Sequence, residues 1–560
     1  MSVSARIRWM FFAISVSTLV PAGGAAAGQK QNPATHESVP SPQTFKIAGT
    51  VVNAITGEPL SQARIFIAEA KERAKLIPMI TSENGRFEFS QLKPGKYSLQ
   101  GAKRGFISSA YEQHEQFSTA IVIGPEFSTE NLILRLTPMA LINGHVFDEF
   151  GDPVRKARVV LFIEDHRGGM NRITRLNLST SDDRGFYDFS LLRPGRYYIS
   201  VTAKPWYAMH PASTPDGSGS TAQQISPSLD VAYPTTYYHD ATEAESATPI
   251  EVKGGDRLQI DMHVNPTPAL HLLFRIPQEQ QHSYNMPMLQ KHVFDSVEMV
   301  QTEGMHPVAP GVYEVTGVPP GRYNVRERNA NSGQLEQSSD VELVRNGQEL
   351  NDSRSEPMGS LKLSIKNPGE EALPKPYTVG LQDSRRRMVA FRQGDPSGQI
   401  AFDDLAPGKY AIMVFSQAKP YAVARTSSSA GESTGHSVNV TPGAALDVTA
   451  FLTAGVVSIE GVVHKMDKPV AGIMVALVPD DPEMHIELFR RDQSDFDGTF
   501  LVRGVIPGSY TIVAVEDAWG FEWLQPGVLA RYVQHGQNLT IGPLMRGTVH
   551  LPDPVEVQPH

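Results

Sequence analysis

The chain has 560 residues, 40% apolar and 20% charged, which is enough apolar material to build cores and rules out wholesale disorder. Its 60 acidic residues outnumber 50 basic ones, and a net charge of −10 leaves no electrostatic footprint for nucleic acid and no polybasic membrane patch. Cysteine is absent, which removes disulfides, thiolate metal sites, cysteine nucleophiles and lipid attachment through an N-terminal cysteine, while 46 glycines and 42 prolines point to many turns rather than long helices.

In chain order, the first element is an export signal. Arg6 and Arg8 precede an apolar run over residues 9–20, and Pro21 and a string of small residues follow. This is the order of a secretory leader, with cleavage expected after Ala27, and the run is too short to span a hydrocarbon core of about 30 Å. Residues 1–27 are therefore read as a signal peptide and 28–42 as a polar linker. No later stretch reads as a membrane span, so the mature chain is expected to be soluble and exported, to the periplasm, cell surface or medium.

From residue 43 onward a repeat organises the chain. Pro-Gly-x-Tyr occurs at 94–97, 194–197, 320–323, 407–410 and 507–510, and a glycine stands nine residues before each proline. The repeated glycines are Gly85, Gly185, Gly311, Gly398 and Gly498; the tyrosines are Tyr97, Tyr197, Tyr323, Tyr410 and Tyr510. Between the landmarks, apolar residues recur in one register, as in Phe87, Phe89, Leu92 and Phe500, Val502, Val505. Spacing of two on either side of a turn predicts strand, turn and strand, a hairpin with alternate residues facing a core. Proline then glycine suits a type II turn, and the earlier glycine closes a preceding one.

Other strands are placed around that hairpin. Three units open with a β-rich run at residues 49–52, 144–147 or 461–463, then a turn and a second strand at 63–68, 157–163 or 473–478. Units close with a second predicted hairpin, across Gly124, across Gly254-Gly255 or across Pro442-Gly443. A helix-like pattern at 69–76 reads equally as loop. The landmarks stand roughly 90–130 residues apart, too far for solenoid coils, so the units are domains in tandem. The expected organisation is all-β, about five immunoglobulin-like or transthyretin-like (prealbumin-like) β-sandwiches at 43–138, 139–268, 269–356, 357–454 and 455–552, with a tail at 553–560. The second carries an insertion at 211–228, rich in Ser, Thr, Gly, Pro and Gln and expected to be a mobile loop.

The string Gly57-Glu-Pro59-Leu60-x-x-Ala63, then Gly85-x-Phe-x-Phe89-x-x-Leu92-x-Pro-Gly-x-Tyr97-x-Leu99, resembles the carboxypeptidase regulatory-like domain. The resemblance is specific in units one, two and five. Units three and four lack the early Gly-x-Pro turn. It implies a transthyretin-like, non-catalytic exported sandwich, sometimes described as a carbohydrate-binding-like fold and close to the collagen-adhesin B repeats. Those repeats often carry a lysine–asparagine isopeptide bond assisted by an acid four residues past the tyrosine. The positions here are Gly101, Val201, Glu327, Val414 and Ala514, so four units lack the acid; the third has it but no lysine in its opening run at 269–276, and no cross-link is expected. Fold alone does not settle function.

Enzyme motifs are missing. None of the 17 histidines has a glutamate three residues on, and there is no Gly-x-Ser-x-Gly elbow, phosphate loop or C-terminal Tyr-Arg-Gly-Ser signature. Of three His-x-x-Asp pairs, at His145, His292 and His464, two lie in β runs that would put the side chains on opposite faces. Asp182-Asp183 and Asp495-Phe-Asp497 sit in turns where such side chains cap the backbone, with too few oxygens for calcium. No catalytic residue, metal site or cofactor is therefore assigned. The candidate ligand-stacking residues are Trp206, Tyr207, Trp519 and Trp523, with Tyr237 and Tyr238 beside the insertion; the competing role is packing over a sandwich end. The function expected is a non-enzymatic spacer or binding scaffold whose partner is a protein or polysaccharide at the cell exterior. The alternatives are a carbohydrate-binding protein and an accessory subunit of a secreted peptidase or transporter.

Overall fold

The structure is a computed structural model that describes residues 44–70, 74–211, 226–276, 285–300, 302, 304–329, 335–350, 356–367, 376–394, 397–428, 431–483, 485–525 and 527–560. The expected leader, linker and most of the 211–228 insertion lie outside the described residues. What is described is almost wholly β, as the alternating apolar register predicts, and it forms five sandwiches in tandem.

The first sandwich sets the pattern. Its strands are β1 (Phe45–Asn53), β2 (Arg64–Glu69), β3 (Ile77–Ile80), β4 (Arg86–Leu92), β5 (Gly95–Ala102), β6 (Ser109–Ala110), β7 (Ile121–Ile123) and β8 (Leu132–Leu136). One sheet runs β4-β1-β8, and the other runs β3-β2-β5-β6 with β7 also on β5. Between them lie Ile47, Val51, Ile65, Ile67, Phe87, Phe89, Leu99, Leu134 and Leu136, all buried. Glu69 ends β2 and Leu76 lies just before β3, so no helix occurs among the described residues of 69–76.

Two sequence-based expectations need correction. The Pro-Gly turn does not close a hairpin: β4 pairs with β1 in one sheet and β5 with β2 in the other. The chain crosses between sheets there in all five units. The closing pairs are crossings as well, because β7 pairs with β5 while β8 runs parallel to β1. Ile250–Val252 and Arg257–Gln259 separate likewise, as do Ser437–Val440 and Ala445–Ala454. Alternating apolar residues around a tight turn fit a hairpin and an inter-sheet crossing equally, since both face one side of each strand inward. Among the described residues, the closing parallel pairing of the third sandwich is a single bridge, Leu273 with Glu349.

The crossing explains the repeat. Each tyrosine is buried, and its hydroxyl donates to the carbonyl four residues earlier: Tyr97 to Lys93, Tyr197 to Arg193, Tyr323 to Pro319, Tyr410 to Ala406 and Tyr510 to Ile506. The distances run from 3.2 Å in the first unit to 2.5 Å in the fourth. The ring lies over the turn glycine, where a Cβ on Gly508 would sit 3.3 Å from the Tyr510 ring. Four of these glycines have φ of 154–159°, far from the roughly +80° of a type II turn. The earlier glycine does close a turn: Gly498 has φ 76°, its N–H donates to Asp495, and its carbonyl accepts from Val463 on the first strand. A third feature has no sequence signature. Three residues before each proline stands Gln91, Leu191, Gly317, Asp404 or Gly504, all left-handed with φ of 58–75°, opposite a register shift in the first strand.

The last sandwich departs most from expectation. Residues 553–560, expected as a tail, contain the strand Val555–Gln558, which runs parallel to Val463 and His464 in one sheet and to Ala514 and Val515 in the other. Only Val555 and Val557 alternate there, too short a pattern to read as a strand. Its second face carries another buried cluster of Met474, Ala476, Val513, Val515, Leu529 and Tyr532. Neighbouring sandwiches also share cores: Phe294, at a hairpin tip of the third, packs on Phe162, Tyr198 and Tyr237 of the second at 4.9–5.8 Å. Among the described residues no helix is long and apolar enough to cross a membrane.

Candidate functional site

The strand Gly195–Thr202 leaves the second sandwich into a loop that presents Trp206 at 85% exposure. Beside it the turn at residues 148–152 presents Phe150 at 74% exposure. That turn is held by Asp148, whose Oδ1 accepts the N–H groups of Phe150 and Asp152. The Tyr207 ring stands perpendicular to Trp206 at 5.8 Å and lies 6.4 Å from Phe150. Glu149 fixes the patch from below, accepting from the Tyr207 hydroxyl and, at 2.7 Å, from Tyr233. Burial, then the bond to Glu149, pushes the Tyr207 phenol up to about 12 and the Tyr233 phenol up as well, so both remain donors at any ordinary pH. The result is an exposed aromatic platform on a hydrogen-bonded base. Tyr237 is not part of it, being fully buried against Phe294, and Tyr238 packs on the core of the second sandwich.

Trp519 lies elsewhere, where the fifth sandwich meets the first, and Trp523 lies beside Arg491 of the fifth and against Gly169 of the second. The Trp519 ring stacks on His114 at 4.9 Å and 5° and contacts Phe117 at 5.6 Å, and its indole N–H donates to Gly472. A sugar stacking on that face would have to displace His114. Arg491 is the hub of this seam. It forms an ion pair with Glu115 at 2.8 Å, the two side chains 5% and 6% exposed, and lies over Trp523 at 4.3 Å. Around it Lys96 pairs with Asp495 at 2.6 Å, Asp495 also accepts from the Ala120 N–H, and Phe496 donates to the Ala120 carbonyl. Gln493 donates to the Glu112 carbonyl and to Thr119. The three aromatics 12 residues past their repeat prolines thus have three fates: Phe106 packs on a core, Trp206 is exposed, and Trp519 joins two modules.

Sequence reasoning missed this seam. Asp495 and Asp497 read only as turn caps, a role Asp497 keeps by accepting from the Thr499 N–H at 3.1 Å, and no motif singles out Lys96 or Glu115. The turn role does hold for Asp182, whose Oδ1 accepts from Arg184 and Phe186. His145 turns to Asp261 at 3.4 Å, not to Asp148, and so forms no His-x-x-Asp ligand pair. Two cavities lie elsewhere on the chain. A cleft of about 800 Å³ between the third and fourth sandwiches is lined by Arg326, Arg387, Arg392 and Lys409 against Asp340 and Asp404. A recess of about 300 Å³ in the fifth lies under Trp523, Phe489, Leu529 and Val533. His436, His485 and Glu487 are grouped closely enough to hold a metal ion, and no sequence motif marks them.

Residues 46–121 match the carboxypeptidase regulatory-like domain. No curated protein matches the chain. Among solved structures, the Bacillus anthracis TIE protein is 11% identical, with 74% of this chain and 75% of that one covered at a TM-score of 0.18. A streptococcal ancillary pilin is 12% identical over 51% of this chain and 100% of its own, TM-score 0.18. The major pilin subunit of Bacillus cereus is 9% identical over 73% and 99%, TM-score 0.14.

Proposed function

We propose that this chain, whose first sandwich is a carboxypeptidase regulatory-like domain, is an exported, non-catalytic binding scaffold rather than an extended spacer. The observation that carries the reading is the contact between its first and last modules, where a buried Arg491–Glu115 pair and a Lys96–Asp495 pair join residues nearly 400 positions apart. A spacer gains reach from modules that touch only their chain neighbours. Joining the first module to the last gives up that reach and fixes the surfaces between them. The leader read from the sequence supports export, and the missing enzyme motifs support a non-catalytic role.

The ligand we propose is a polysaccharide, taken on the Trp206 platform. Exposed aromatics held by a rigid polar base offer a flat apolar face at low entropic cost, which suits the apolar face of a sugar ring. The test is affinity electrophoresis of the mature protein in gels containing a panel of soluble polysaccharides, beside Trp206→Ala and Phe150→Ser. Retardation by at least one polysaccharide that falls about tenfold in Trp206→Ala supports the reading. No retardation by any of them, or retardation unchanged in both variants, refutes the platform.

A further inference from the structure

The seam between the fourth and fifth sandwiches holds a second, chemically different feature. His436 lies just before the strand Ser437–Val440 of the fourth, and its carbonyl is fixed by the Ile412 N–H at 2.7 Å. His485 and Glu487 come from a single 3₁₀ turn at Ile486–Leu488 in the fifth. Each histidine points a ring nitrogen at the same carboxylate oxygen: Glu487 Oε1 is 3.3 Å from His485 Nδ1 and 3.7 Å from His436 Nδ1. Ligand atoms from the three residues all lie within 4.8 Å of one another.

A second observation concerns the other carboxylate oxygen. The Glu487 side chain is 8% exposed, and its Oε2 is buried with no hydrogen-bond partner. An unsatisfied buried oxygen on a charged group is costly, and native structures retain one where something else satisfies it. The turn carrying it is braced: His485 N–H donates to Asp481, and Arg490 donates to the Glu487 carbonyl at 2.7 Å and to Gly504 at 3.0 Å. The backbone at the seam is fixed as well, with Gly455 donating to Pro420 and Pro420 packed on Gly504. A carboxylate and two imidazoles on a fixed frame are the donor set of a borderline divalent cation with one position left open.

We infer that His436, His485 and Glu487 form a Zn²⁺-class metal site that bridges the fourth and fifth sandwiches, with water completing the coordination. Zinc held tetrahedrally at about 2.1 Å sets its ligand atoms roughly 3.4 Å apart, so side-chain rotations of about an ångström close the present arrangement. Lys409 and Arg490 lie near enough to act on the cluster electrostatically and oppose a cation, which sets the affinity below that of a Cys-rich structural site. The consequence is mechanical: bound metal ties the two modules together at this seam.

The experiment uses the full mature chain stripped with chelator. Titration with Zn²⁺ alone by calorimetry should give one equivalent per chain, and Co²⁺ should give the visible absorption of a four-coordinate nitrogen–oxygen site. His436→Ala and Glu487→Gln should each weaken binding by more than about tenfold, since even outer-shell partners of a metal are worth roughly 10–100-fold. Both variants should keep a cooperative metal-free melting transition, and His485→Ala serves as the second test if either fails to fold. Binding of less than one equivalent, an octahedral Co²⁺ spectrum, or affinity unchanged in folded variants would overturn the site.

Discussion

Replacing Tyr510 separates the two things the repeated tyrosine does. The ring is 1% exposed and lies over Gly508, and its hydroxyl donates at 2.6 Å to the carbonyl of Ile506, itself 1% exposed. Tyr510→Phe keeps the ring and leaves that carbonyl short of a donor, at a cost of about 1–2 kcal/mol. Tyr510→Ala also empties the space between the sheets, and aromatic-to-alanine changes in cores cost about 3–5 kcal/mol. Hydrogen exchange on the full chain reads both, through the opening free energy of the strands Met474–Pro479 and Gly508–Val515. Burial pushes the Tyr510 phenol up to about 12. A raised folded value means its contribution is whole below pH 10 and is lost as pH climbs through 12. The difference between Tyr and Phe should therefore be constant from pH 6 to 9. Equal losses for Phe and Ala, or exchange unchanged in Phe, would refute a hydrogen-bonded corner.

Three further outcomes follow. Leu191 is held left-handed with φ 62° and is 72% exposed, so Leu191→Gly should protect the strand Phe186–Leu192 by about 0.5–1 kcal/mol in the same exchange measurement; a loss would deny the strain. Burial pushes the Asp492 carboxyl up to about 6, so its contribution to stability is whole below pH 4 and falls away as pH rises through 6; Asp492→Asn should flatten that fall, worth about 3 kcal/mol at most, in melting curves taken from pH 4 to 8. Intact-mass spectrometry should find no loss of ammonia from the mature chain, because four of the five positions past the repeat tyrosine lack the acid an isopeptide bond needs and the unit with Glu327 has no lysine in its opening run at 269–276; any such deficit would overturn this.

The five-fold sandwich was legible in the sequence because its landmarks carry physical demands: a left-handed glycine, a tight Pro-Gly turn between two alternating runs, and a tyrosine opening the second run. Whether the chain turned back into its own sheet or crossed to the opposite one was not legible, since both place Phe87, Phe89 and Leu99 inward. The bulge before each proline escaped because Gln91, Leu191, Gly317, Asp404 and Gly504 share a backbone angle and no chemistry. The aromatic platform was half visible: Trp206 and Tyr207 stand out in the sequence, while Phe150 and Glu149, some 60 positions earlier, are joined to them only by the fold. Inter-module contacts left no local trace at all. Arg491, Glu115 and Lys96 each resemble solvated charge until the strands that carry them are brought together.

The closing seam between the first and fifth sandwiches is what distinguishes a scaffold from a spacer, and a zero-length cross-link tests it directly. Carbodiimide treatment of the monomeric mature protein, followed by peptide mass spectrometry, should join the Lys96 peptide to that of Asp495 or Asp497, since the amine lies 2.6 Å and 3.4 Å from their carboxylates. Arg491→Ala leaves Glu115 a buried charge without its partner, at a cost of about 3–5 kcal/mol, and should reduce that product. Cross-links confined to pairs within single sandwiches, with none between the first and fifth, would contradict the account.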